Sequence, residues 1–71
     1  MDKIVICDLV NALVKRIIER RKFLKITQIE LAKKIGISRS KMIRIENGTT
    51  DLTIEEYLKC CIVLDLEPFY I

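Results

Sequence analysis

Apolar side chains recur along this 71-residue chain mostly at three- and four-residue spacing, which is the period of a helix face rather than of a strand. Leu9, Val10, Leu13, Val14, Ile17 and Leu24 trace one such face, with Lys15, Arg16, Glu19, Arg20 and Lys22 on the outer side and Asp8 placed to cap it. A first helix is therefore expected from Asp8 to about residue 24. Thr27 followed by Glu30 has the spacing of a reciprocal capping box, in which each side chain satisfies the other's free amide, so a second helix opens there and turns Leu31, Ala32 and Ile35 inward. Gly36 ends it, because a glycine just past the last turn accepts the left-handed conformation that other residues resist. Ser38 caps a third helix almost at once, with Met42 and Ile45 inward and Arg39, Ser40, Lys41 and Arg44 outward, until Asn47 and Gly48. Thr53 and Glu56 repeat the capping-box spacing and open a fourth helix, with Ile54, Tyr57, Leu58, Cys61 and Leu64 on one face and an end near Asp65.

The two ends of the chain depart from this rhythm. Residues 3–7, KIVIC, suit a short strand at least as well as a helix, and a strand is the expectation. Its natural mate is the C-terminal PFYI segment, residues 68–71, paired within the chain or across a dimer. A two-stranded ribbon is marginal alone and needs helices to pack on.

Length and composition narrow the class. A chain of 71 residues supports one domain with a small core. With 51% hydrophobic residues and only two Gly and one Pro to interrupt them, an all-α protein is expected, organised as a single domain over residues 1–71 with an N-terminal extension at 1–8 and a C-terminal tail at 67–71. Cys7, Cys60 and Cys61 are odd in number and two are adjacent, which gives no self-contained disulfide framework and points to a reduced, cytoplasmic chain. Asp8 and Asn11 interrupt the apolar run at residues 4–14, no small-residue cleavage site follows it, and nothing approaches the roughly 20 apolar residues of a membrane span. There is no His and no phosphate-cradling Gly-rich loop, so neither an enzyme nor a cofactor or metal site is expected.

Charge changes the picture more than composition does. The net charge is only +3, but residues 15–44 hold eleven Lys/Arg against Glu19 and Glu30, a balance of +9, while residues 45–71 carry −5. Such a run is either a solvated face or the footprint of a polyanion.

Two short helices joined by a glycine-containing turn, the first small and tightly packed and the second presenting polar side chains, make a helix-turn-helix, here at about residues 27–47. Ala32 supplies the small side chain that a close helix crossing requires. At the words T27-Q28-x-x-L31-A32-x-x-x-G36-I37-S38 and M42-x-R44-I45-E46-N47-G48, the sequence resembles the Cro/cI-type helix-turn-helix family, the phage-repressor and xenobiotic-response-element group of bacterial regulators. The similarity covers roughly residues 13–66.

The resemblance implies a compact lambda-repressor-like domain of four to five helices, and a sequence-specific regulator of double-stranded DNA. It implies a repressor that acts as a homodimer on a palindromic operator. Arg39, Ser40 and Arg44 fall where such proteins meet base edges in the major groove, and an arginine fork suits the paired acceptors of guanine. Thr27, Gln28, Ser38, Lys41 and Asn47 fall on the DNA backbone, and Arg21 with Glu46 matches a partly buried ion pair between the first and third helices. Ile43 and Ile62 are apolar where the family is commonly polar or charged; with Phe69, Tyr70 and Ile71, Ile62 marks a surface for a dimer or another protein. The rival reading is a protein-interaction module, such as the antitoxin of a toxin–antitoxin pair or a binder of the antirepressor kind.

Overall fold

The computed structural model describes the backbone of residues 3–68 and the side chains of residues 9–68. It contains α1 (Lys3–Phe23), α2 (Gln28–Ile35), α3 (Arg39–Glu46) and α4 (Ile54–Leu64), and no strand among the described residues.

Three of the four helices begin at the expected residues. Thr27 Oγ1 accepts the Glu30 amide at 3.1 Å while Glu30 Oε1 accepts the Thr27 amide at 3.2 Å. Thr53 and Glu56 repeat the exchange at 3.1 and 3.0 Å. Ser38 Oγ accepts the Lys41 amide at 3.1 Å. Each cap satisfies amides that the first helical turn leaves without partners. Gly36 closes α2 at φ 79°, with the Ile37 amide returning to the Ala32 carbonyl at 3.0 Å. A Cβ at Gly36 would meet no atom within 4 Å, so glycine is required there for its backbone angle and not for space.

The N-terminal strand is a correction. Residues 3–7 are helical, and Asp8 lies inside α1 rather than at its cap. No Gly or Pro separates residues 3–7 from the apolar face that starts at residue 9, so prolonging the existing helix adds one hydrogen bond per residue with no new nucleus. A strand would need a mate, and Glu67 and Pro68 form none; residues 69–71 of the expected mate lie outside the described residues.

Ile17 from α1, Leu31, Ala32 and Ile35 from α2, Met42 from α3 and Tyr57, Cys60, Cys61 and Leu64 from α4 form one buried cluster. Every helix contributes, so α2 and α3 are held as a pair on a floor made by α1 and α4. The C-terminal end is tied to two helices: Arg20 Nε and Arg16 Nη2 of α1 donate to the Leu64 and Glu67 carbonyls at 3.0 and 3.2 Å, and the Tyr57 hydroxyl of α4 donates to the Pro68 carbonyl.

Candidate nucleic-acid interface

α3 turns Met42 and Ile45 into the core, which leaves Arg39, Ser40 and Arg44 exposed on the opposite side. Arg39 and Ser40 occupy the first turn and Arg44 stands one turn further along. Ile43 beside them is half-buried. Thr49 folds the following loop back on α3, its amide and hydroxyl both donating to the Arg44 carbonyl at 2.9 and 3.2 Å.

The C-terminal end of α3 is tied down by Glu46. Arg21 Nε donates to Glu46 Oε2 at 2.8 Å and Arg21 Nη2 donates to Oε1 at 2.9 Å, the two-pronged geometry in which arginine binds carboxylate most strongly. The two side chains are 10% and 6% exposed. The remaining prong of Arg21 donates to the Ile26 carbonyl at 3.0 Å in the α1–α2 turn. Gln28 Nε2 also donates to Glu46 Oε1, at 2.9 Å. One carboxylate thus joins α1, α2 and α3, and among the described residues no buried side-chain polar atom is left without a partner.

The N-terminal end of α3 is tied elsewhere. Lys41 Nζ pairs with Glu56 Oε2 at 2.5 Å across to α4. Burial alone would raise the Glu56 carboxyl pKa, but the Lys41 hydrogen bond, the Thr53 amide and side chain and the Lys41 charge outweigh it, and the group ends below its ordinary 4.5. Glu56 therefore stays ionised at neutral pH.

These contacts revise the meaning of the basic stretch. Arg16, Arg20, Arg21 and Lys41, four of its eleven basic residues, are engaged with protein groups. Thr27, Ser38 and Asn47 stand exposed at helix ends, the first two with side-chain oxygens already accepting cap amides. Ile62 is 81% exposed, and Phe69, Tyr70 and Ile71 lie outside the described residues. The Gln28–Glu46 and Lys41–Glu56 contacts were not foreseen from the sequence; partners 18 and 15 residues apart carry no local spacing signal. Cys60 is no reactive group, since burial first, then the adjacent Cys61 thiol and the charges of Glu56 and Glu46, push its thiol up to about 12.

The Helix-turn-helix family model matches residues 17–71, which span the cap at Thr27, the turn at Gly36 and the whole of α3 and α4. The chain belongs to the Cro/cI-type helix-turn-helix family. It is a DNA-binding transcriptional regulator. The structure is similar to the crystal structure of the restriction-modification controller protein C.AhdI from Aeromonas hydrophila, at 33% identity and a TM-score of 0.74, over 86% of this chain and 91% of that one. No curated protein matches the chain. Residues 3–16 of α1 precede the family match. No helix among the described residues is long and apolar enough to cross a membrane.

Proposed function

We propose that this regulator is a repressor that binds a palindromic operator as a homodimer, with Arg39, Ser40 and Arg44 reading base edges and Thr27, Gln28, Ser38 and Asn47 meeting the DNA backbone. The observation that carries the reading is α3 itself, which exposes these three side chains while its inner face is buried and its two ends are tied to other helices. A reader must be rigid, because base-edge hydrogen bonds tolerate only a few tenths of an ångström. One short helix contacts few base pairs, and two linked copies are the usual answer to the excess of competing DNA.

The surface for the second copy is the outer face of α4. Ile54 and Leu58, expected on the face of Tyr57, Cys61 and Leu64, are exposed instead, and with Ile62 they follow at four-residue spacing, Ile54 62% and Ile62 81% exposed. The same face supports the alternative reading, a protein partner such as a toxin or antirepressor. The likeness to a restriction-modification controller makes the genes of a restriction-modification system the first targets to examine.

Selection of bound sequences from a random DNA pool tests the reading. An enriched palindrome is expected, with Arg39→Ala and Arg44→Ala each losing about 1 to 3 kcal/mol on it and relaxing preference at particular base pairs. In sedimentation, Ile62→Glu should turn a dimer into a monomer. A pool that enriches nothing at low salt, with a monomer throughout, would shift the assignment of the α4 face to a different protein.

A further inference from the structure

Lys41 follows Arg39 and Ser40 on the first turn of α3, a position that invites a phosphate contact. Its ammonium is already committed, to a carboxylate that is itself immobilised. Glu56 Oε1 holds the Thr53 amide at 3.0 Å as part of the α4 cap, and Oε2 takes Lys41 Nζ at 2.5 Å. The exposures are unequal, 34% for the Lys41 side chain and 11% for that of Glu56. If Lys41 swung out to a phosphate, the nearly buried Glu56 charge would lose its compensating partner, and an uncompensated buried charge is far more costly than an exposed pair is favourable.

We infer that Lys41 is a positioning residue: its ion pair with Glu56 sets the tilt of α3 against α4, and thereby the base preference exercised by Arg39 and Ser40. The inference rests on the proposal that α3 reads bases. The leverage is geometric. α3 is eight residues long, about 12 Å, so a tilt of about 5° about its Glu46 end moves the Arg39 end by about 1 Å, enough to break a hydrogen bond. Glu46, held by Arg21 and Gln28, supplies the fixed point of that lever. Glu56 supplies the stop at the other end, on the helix whose outer face is proposed to receive the second copy.

The experiment compares wild type with Lys41→Met, Lys41→Arg and Glu56→Gln, on the selected operator, its single-base variants and unrelated DNA, over a series of salt concentrations. Melting curves establish that each protein is folded at the assay temperature. Glu56→Gln retains an oxygen for the Thr53 amide, so the α4 cap survives and the pair alone is removed. Lys41→Met and Glu56→Gln are both expected to lose about tenfold on the operator and to flatten preference at the bases facing Arg39 and Ser40, with binding to unrelated DNA and the salt slope unchanged. Lys41→Arg should restore the preference. The inference is overturned if Lys41→Met weakens all sequences equally and lowers the salt slope by about one, the signature of a lost phosphate contact. It is overturned equally if Glu56→Gln tightens binding to every sequence by releasing Lys41. A wild type that shows no base preference removes the DNA-reading proposal and this inference with it, and does so before any variant is compared.

Discussion

The two ends of α3 are held by different means. At the Glu46 end, a two-pronged arginine, a glutamine amide and deep burial converge on one carboxylate, joining three helices. At the Lys41 end, a single flexible ammonium, 34% exposed, reaches one oxygen of a carboxylate whose other oxygen serves a helix cap. The first arrangement suits a hinge that must not move, since guanidinium and carboxylate are planar and lock each other's orientation. The second suits an adjustment, since a Lys stem has many rotamers and a point charge has no preferred plane. Burial and hydrogen bonds are concentrated at one end of α3, and a single partly exposed ion pair holds the other.

Breaking the Glu46 end should have the largest effect. Arg21→Met leaves a carboxylate of 6% exposure with Gln28 as its remaining donor, and loss of one partner of a buried pair costs about 3 to 5 kcal/mol. For a domain whose whole stability is on the order of 5 to 15 kcal/mol, that approaches unfolding. Denaturant unfolding of Arg21→Met, Glu46→Leu and the double variant measures the coupling. Strictly additive losses would mean that the pair contributes nothing as a pair.

An intermediate effect is expected at the cap beside Glu56. Thr53→Ala removes the hydroxyl that accepts the Glu56 amide and should cost about 1 kcal/mol in the same unfolding measurement. A loss as large as that of Arg21→Met would show that the two ends are equally rigid and erase the contrast.

The smallest expected effect is a pH dependence. The folded Glu56 carboxyl lies below its ordinary 4.5, so the unfolded chain takes up this proton first. The stabilisation from the group is therefore complete above about 4.5 and is lost as pH falls below that value through the folded pKa. Melting temperatures of wild type and Glu56→Gln should converge as the solution is acidified in that range. A difference that stays constant from neutral to acid pH would show that Glu56 gains nothing from ionisation in the folded state.

Much of the architecture was legible along the chain because its signals are local. Thr27 with Glu30, Thr53 with Glu56, Ser38 with the Lys41 amide, and Gly36 at positive φ are relations across three or four residues, and they mark where helices start and stop. The failure at residues 3–7 has the same origin. β-branched residues there suit a strand taken alone, but they run without a Gly or Pro into the helix that follows and prolong it. The middle basic stretch admitted a polyanion partner beside a solvated face but overstated the charge available to one, because a count cannot tell a solvated Lys from Arg20 bonded to the Leu64 carbonyl.

By itself, then, the sequence determined the helix-turn-helix, its caps, its turn and the outward place of Arg39, Ser40 and Arg44, since each follows from short-range backbone chemistry and the period of a helix. Only the tertiary structure decided which charges are spent inside the protein. The pairing of Arg21 with Glu46 was already implied by the family resemblance, but that Gln28 joins it from α2 and that Lys41 finds Glu56 on α4 depends on the fold. Those choices depend on where separate elements come to rest and on the high cost of leaving a nearly buried carboxylate alone, a balance set by distance through space rather than along the chain.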